Sequence, residues 1–117
     1  MNELIETILA NFTVDDVEIP VAFLFYEGHG EPYVTYFNQD KDKSLSGDDE
    51  LIGYVDYYDF DVYSKGNFFE IIESLKAILK ANGFIWQPSR SSMDFFEKDT
   101  GYYHKTLNFA YLRSEED

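Results

Sequence analysis

Residues 52 to 63 alternate in a way that constrains the fold more than any other part of this 117-residue chain. Successive side chains of a β-strand point to opposite faces, so residues two apart share a face. One face of this segment is apolar apart from Asp56, and comprises Ile52, Tyr54, Tyr58, Phe60 and Val62. The opposite face is mixed, with Val55, Tyr57, Asp59, Asp61 and Tyr63. The pattern predicts a long strand that turns one face to the core and holds Asp59 and Asp61 on its solvent face.

The segment after this strand predicts an amphipathic helix. Asn67 is a favourable cap, Glu70 stands three residues later as in a capping box, and Gly83 is suited to end the helix. The apolar residues between them recur at helical spacing: Phe68, Ile71, Ile72, Leu75, Ile78 and Leu79. Such a stripe buries one side of a helix against a core.

The remaining elements complete a mixed α and β pattern. They are a first helix from Asn2, a central strand at Ile19–Tyr26 that forms a hairpin with Tyr33–Phe37, an exposed loop at Asn38–Glu50, a short strand at Phe84–Pro88 and a last strand at Tyr102–Leu112. The order is α-β-β-β-α-β-β. It predicts an α+β fold, a two-layer sandwich in which two helices pack on one face of a mainly antiparallel sheet. A chain of this length is expected to form a single domain over residues 1–117.

The charge of the chain narrows the range of its partners. It has 23 acidic and 9 basic side chains, for a net charge of −14. Such a surface repels phosphate backbones and anionic membranes, which leaves neutral or basic proteins, cations, or DNA that must pass without sticking. There is no cysteine, so disulfides and thiolate chemistry are excluded. The acidic start "MNELIETILANF" is not expected to be a signal peptide, and runs such as "VAFLF" are too short to span a bilayer.

No pattern in the chain indicates catalysis or a cofactor. Residues 38–50 do not place glycine and glutamate where an EF-hand loop needs them, and His29 and His104 belong to no zinc-ligand cluster. No pair of acids has a spacing that selects a catalytic couple. Asp56 lies on the apolar face of the predicted strand, and a buried carboxylate requires a partner. Asp56 is therefore expected to pair with Lys105 or a tyrosine hydroxyl. The sequence therefore predicts a protein that is not an enzyme, with no catalytic, cofactor-binding or metal-binding residues.

The aromatic residues suggest contacts with other proteins. The chain has 10 tyrosines and a single tryptophan, more tyrosine than a core of this size needs. Tyrosine and tryptophan are favoured at protein interfaces. We predict an interface that uses the acidic loop and four aromatic residues: Asp48, Asp49, Glu50, Tyr57, Tyr63, Trp86 and Tyr102.

Three segments also resemble a known family. They are "GDDELIGYVDYYDFDVYSKGN" (47–67), "LKANGFIWQPSR" (79–90) and "DTGYYHKTLNFAY" (99–111). Together they resemble small proteins in the tail modules of siphophages and prophages of Gram-positive bacteria. With the first helix and hairpin, the similarity extends over essentially the whole chain.

The resemblance implies a structural protein of tail completion or tail termination at the head–tail junction. Such a protein is made in the bacterial cytoplasm, becomes part of the virion tail, and contacts neighbouring tail or connector proteins. It implies an α+β fold and a ring of subunits, commonly a hexamer, through which DNA passes without specific binding. Two alternatives remain: an acidic inhibitory protein, such as an immunity protein or DNA mimic, and a hydrolase with a cleft around Asp56 or His104.

Overall fold

The computed structural model describes residues 2–24, 32–47, 50–66 and 68–114, with side chains given throughout except at residues 2, 39–47, 50–54, 113 and 114. The helices are α1 (Asn2–Ile8) and α2 (Phe68–Ala81), with a 3-10 turn at Pro88–Arg90. The strands are β1 (Thr13–Val14), β2 (Val17–Glu18), β3 (Val21–Phe23), β4 (Tyr33–Gly47), β5 (Glu50–Ser64), β6 (Ile85–Trp86), β7 (Phe95–Glu97) and β8 (Tyr102–Ser114). Neither helix of the described ranges is long and apolar enough to cross a membrane.

The strands form one large sheet and one small hairpin. The large sheet has the order β3-β4-β5-β8-β6, with β7 also paired to β8, while β1 and β2 pair with each other. All pairs are antiparallel except β3 with β4. The predicted mixed, mainly antiparallel α+β class is therefore confirmed. The predicted order of elements omits β1, β2 and β7. These strands have only two or three residues, too few for a recognisable sequence pattern.

The first predicted hairpin is wrong. The segment Ile19–Tyr26 was expected to be a central strand antiparallel to the next one, but β3 covers only Val21–Phe23, lies at the sheet edge and runs parallel to β4. Leu24 has a left-handed φ of 70° and its N–H donates to the carbonyl of Tyr36 at 2.9 Å. This turn of the backbone takes the chain out of the strand. An apolar run shows that a strand is partly buried, but not which neighbour it pairs with.

The exposed loop predicted at Asn38–Glu50 is also wrong. β4 continues to Gly47, and Gly47 pairs with Glu50 on either side of positions 48 and 49. The pairing contains register shifts between Asn38 and Asp40 and again before Lys43. Fifteen residues at about 3.3 Å each span about 50 Å, which matches the longest dimension of 51 Å. Polar composition suggested a loop, but interstrand backbone hydrogen bonds do not require apolar side chains.

The core lies between the helices and one face of the sheet. The predicted core face of β5 is confirmed at Tyr58, Phe60 and Val62, which are all buried in the main cluster. The side chains of Ile52 and Tyr54 lie outside the described ones, and Val55 of the opposite face is also buried. The stripe of α2 joins the same cluster through Phe68, Ile71, Ile72, Leu75 and Leu79, and α1 contributes Ile5. The predicted cap Asn67 lies outside the described residues. At the other end, the Phe84 N–H donates to the Leu79 carbonyl at 3.0 Å, and Gly83 takes a φ of 92°, the left-handed geometry that favours glycine after a helix.

The opposite face of the sheet is less open than the sequence predicts. Asp59 was expected in solvent but is only 6% exposed, and Asp61 is partly buried. Asp59 is paired in register with Phe37 on β4 and with Asn108 on β8. A carboxylate on the middle strand of a wide sheet is flanked on both sides, and alternation alone does not show this.

Candidate protein interface

A row of stacked rings crosses the face of the sheet that is turned away from the helices. Tyr33, Tyr63 and His104 occupy neighbouring positions on β4, β5 and β8. The Tyr33 and Tyr63 ring centroids are 4.7 Å apart, and Tyr63 lies 4.3 Å from His104 with an interplanar angle of 9°. Tyr102 meets both tyrosines edge-on, at 5.9 and 6.4 Å. We refer to these four residues as the ring row.

Asp61 anchors the histidine of the ring row. His104 Nε2 lies 3.3 Å from Asp61 Oδ1, and the Thr106 hydroxyl donates to the same oxygen. On its other side His104 Nδ1 is 4.0 Å from Glu97 Oε1. The histidine is therefore held between two carboxylates, and its ring plane is fixed by stacking on Tyr63. The arrangement orients an aromatic surface, and one oxygen of Asp61 contacts both Thr106 and His104.

The next positions along the same face hold a buried polar pair. Asn108 Nδ2 donates to Asp59 Oδ1 at 2.8 Å. Burial raises the pKa of Asp59 above its ordinary value, and the Asn108 hydrogen bond acts in the opposite direction. Beyond this pair the Arg90 guanidinium lies 3.9 Å from the ring centroid of Tyr57. Arg90 follows β6, so this contact ties the segment after β6 to the middle of the sheet.

Trp86 belongs to β6, the last strand of the sheet, and its side chain is on the helix side, packed against the core. Its indole N–H donates to the Ser91 hydroxyl at 3.1 Å. Lys76 Nζ is 3.6 Å from the Trp86 ring and Lys80 Nζ is 5.6 Å from it, both reaching over from α2. Cations over a tryptophan face are attracted by its quadrupole. The edge at β6 thus combines aromatic surface with positive charge.

A second group of aromatic residues, which the sequence does not predict as an interface, surrounds β7. Phe95 and Phe96 are 51% and 54% exposed and Phe69 is 68% exposed. The rings form a connected series, from Phe96 to Tyr103 at 5.0 Å, then to Phe68 and on to Phe69 at 5.5 Å each. We refer to Phe69, Phe96 and Tyr103 as the β7 patch. Phe95 points to the opposite face of the sheet, where its ring lies 6.5 Å from His104 of the ring row. Gly101, with a φ of 79°, lies in the turn before β8 and is the one local signal that β7 and β8 form a hairpin.

The structure separates the predicted interface residues. Tyr63 and Tyr102 belong to the ring row and Tyr57 lies further along the same face, whereas Trp86 lies on the helix side. All four are partly buried. Asp48 and Asp49 lie outside the described residues. Glu50 is placed only through its backbone pairing with Gly47.

The prediction that Asp56 pairs with Lys105 is wrong. Asp56 is buried opposite Tyr111, and Lys105 is about 20 Å further along β8. Lys105 Nζ instead binds Asp94 Oδ1 at 3.0 Å. Strand register decides this pairing, and the sequence alone does not define the register.

Two cavities lie at the amino-terminal side of the fold. One of about 230 Å³ is lined by Glu6, Leu9, Ala10, Asn11, Glu18, Ile19, Pro20, Val21 and Tyr36. The other, of about 290 Å³, is lined by Val14, Val17, Ile19, Pro32, Ser64, Gly66 and Ile71. Neither includes Asp56 or His104 in its lining. Within the described ranges, no three of the histidine and acidic side chains are grouped as metal ligands would be.

No family model matches the sequence, and no curated protein is significantly similar to it.

The ring row predicts a specific response to alkali. Burial, followed by the charge of Asp61 and smaller effects of Tyr33 and Glu97, raises the pKa of Tyr63 from 10.0 to about 12. A group whose pKa is raised by folding makes its full contribution to the stability of the folded state below the pKa it has in the unfolded chain. This contribution is lost as the pH rises through the folded-state pKa. Between pH 10 and about 12 the wild type is therefore expected to lose stability faster than Tyr63→Phe, which keeps the ring. Urea unfolding across this range tests the expectation, and parallel pH curves for the two proteins would contradict it.

Proposed function

We propose that this chain is a structural protein of a phage or prophage tail, acting in tail completion or termination at the head–tail junction. It acts through contacts with other proteins, in a ring of subunits such as a hexamer, and not as an enzyme. In this proposal the protein is made in the bacterial cytoplasm and is incorporated into the virion tail. Both helices cover one face of the sheet in a two-layer arrangement, which leaves the other face and the sheet edges for neighbours.

The observation that carries the proposal is the β7 patch. Phe96 contacts Tyr103 directly, and Phe68 connects Tyr103 to Phe69. These rings lie beside a strand whose outer edge is unpaired within the described part of the sheet. Connected apolar surface of this kind marks sites of protein–protein contact, and an unpaired strand edge offers backbone donors and acceptors to a second chain. Phe69, Phe96 and Tyr103 are 68%, 54% and 42% exposed, whereas Phe68, which connects them, is buried.

The segments that resemble tail proteins support the proposal by their position. Residues 47–67 include all of β5, residues 99–111 include most of β8, and residues 79–90 include β6. These three strands are consecutive in the sheet. The resemblance therefore concerns one continuous part of the fold, which holds Tyr57, Tyr63, Trp86 and Tyr102.

The net charge of −14 supports the same role. A ring around double-stranded DNA has to let the phosphates pass, and negative charge opposes binding. The acidic inhibitor alternative requires acids presented in an open array that imitates phosphates. Asp59 and Asp61 do not form such an array, because the first is buried and the second binds Thr106 and His104.

The test is complementation in the phage or prophage that encodes this chain. Deletion of the gene is expected to leave filled heads and tails that fail to join, or tails of irregular length, and the wild-type gene restores infectious particles. Phe69→Ser combined with Phe96→Ser is expected to fold but to complement poorly. Val17→Ser, which removes an exposed apolar side chain from β2, is the matched control and should complement fully.

Two results would contradict the proposal. If virions assemble normally without the gene, the tail role is wrong. If deletion instead removes resistance to a toxin or a restriction enzyme, the chain is an inhibitory binding protein. Thermal unfolding of the purified variants shows whether a failed complementation reflects loss of the fold.

A further inference from the structure

Some of the positive charges that the structure describes lie together at one edge of the sheet. Of the lysines and arginines whose side chains the structure describes, Lys76, Lys80 and Arg90 are gathered around β6. Lys80, on the helix side of this edge, and Arg90, on its other side, are both exposed, and Ile85 of β6 is 47% exposed. Lys76 also forms a pair with Glu73 at 3.3 Å, so part of its charge is balanced within the helix. We refer to Lys76, Lys80, Ile85 and Arg90 as the basic edge.

The opposite edge of the same sheet is acidic and contains a cavity. Glu6 of α1 and Glu18 of β2, both exposed, line the cavity of about 230 Å³ beside Val21 of β3. No basic side chain is part of this lining. Burial raises the pKa of Tyr36, another lining residue, and the negative charge of Glu6 raises it further. The cavity therefore offers a recess in a negative field, large enough for the end of a lysine or arginine side chain.

The topology places these two surfaces at opposite ends of the sheet. The strand order β3-β4-β5-β8-β6 has the acidic edge beside its first strand and the basic edge beside its last. A subunit that carries one patch and its complement at opposite ends associates head to tail, and such contacts generate rings when the rotation closes. Opposite charges that face each other also select the register of the contact.

We infer that the basic edge of one copy binds the acidic edge of a second copy, with a lysine or arginine side chain entering the Glu6–Glu18 cavity. This inference rests on the proposed function, because it names the partner and the surfaces with which the assembly is built. The contact is heterologous: each subunit uses both edges, and a two-fold dimer through either edge alone is not formed. The β7 patch remains available for a different tail protein.

The absence of native cysteine makes disulfide crosslinking a clean test. Ala10→Cys places a thiol at the acidic cavity and Ile85→Cys places one on the basic edge. Two differently tagged chains, one with each substitution, are mixed at high concentration, and particles from the complemented phage are treated in the same way. We expect the mixed disulfide, with far less of either symmetric product.

Charge exchange supplies the control. Adding Lys76→Glu and Lys80→Glu to the Ile85→Cys chain is expected to reduce the mixed product by at least about tenfold, because like charges then face each other. Adding Glu6→Lys and Glu18→Lys to the Ala10→Cys chain should restore it. Restoration by the second pair of substitutions shows that the first pair had not simply unfolded the chain.

Three outcomes would overturn the inference. They are a predominantly symmetric Ile85→Cys product, a yield that the charge changes leave unaltered, and particles that assemble with no mixed disulfide. In the last case the tail role stands and only the surfaces are wrong. Normal assembly without the gene would instead contradict the proposed function itself.

Discussion

Replacing Leu75 by alanine is expected to lower the free energy of unfolding by about 2–5 kcal/mol. Leu75 lies in the middle of α2, is fully buried, and belongs to the cluster shared by both helices and the sheet. The loss combines the transfer free energy of the deleted atoms with the cavity that remains. A domain of this size has a total stability of about 5–15 kcal/mol, so the variant should melt at a clearly lower temperature.

The same helix provides a matched control. Phe69→Ala removes a larger apolar side chain, but Phe69 is 68% exposed. Its replacement is expected to change stability by only about 0.5 kcal/mol, as for most surface substitutions. Urea unfolding of both variants tests the assignment of the buried face. Similar losses would show that α2 does not pack through the stripe that contains Leu75.

Replacing Asn108 by alanine is expected to cost about 1–3 kcal/mol at neutral pH, because it removes a donor from a buried carboxylate. Asn108 is fully buried and its side-chain amide binds Asp59. Asp59→Asn in the same chain should recover part of the loss, since a neutral amide needs less compensation than an ion. A double-mutant cycle measures this coupling.

The effect of Asn108→Ala should depend on pH. Burial raises the pKa of Asp59, so the folded state holds this proton more strongly than the unfolded state. The stability linked to Asp59 is therefore present below the ordinary aspartate pKa and is lost as the pH rises through the raised value. Without the amide, which lowers the pKa, this loss should grow. If the difference between variant and wild type is the same at pH 4 and pH 7, Asp59 is not the group responsible.

The elements that the sequence predicts correctly are those whose side-chain pattern is repeated and one-sided. Tyr58, Phe60 and Val62 of β5 and most of the stripe of α2 are buried as expected, because a regular alternation or a helical period leaves only one face for the core. The parallel edge strand β3 and the long extension of β4 were missed. Pairing direction depends on where the chain returns, and strands held by backbone hydrogen bonds tolerate polar residues such as those of 38–47.

The candidate interface was predictable only in part. Tyr57 and Tyr63 lie opposite the core face of β5 as expected, since alternation determines their side of the sheet. The stacking of Tyr63 on His104 depends on the register of two strands about forty residues apart, which the sequence does not show. The β7 patch was missed for a related reason. Phe96 comes next to Tyr103 at the sheet edge only through the hairpin of β7 with β8.

The parallel pairing of β3 has a consequence for the order in which the molecule folds. Antiparallel neighbours such as β4 and β5 can form as a local hairpin, whereas a parallel strand has no register until its partner already exists. The three residue pairs between β3 and β4 are also among the smallest contacts of the large sheet. The amino-terminal segment that β3 attaches, including α1 and the β1–β2 hairpin, is therefore expected to dock last during folding and to detach first during partial opening.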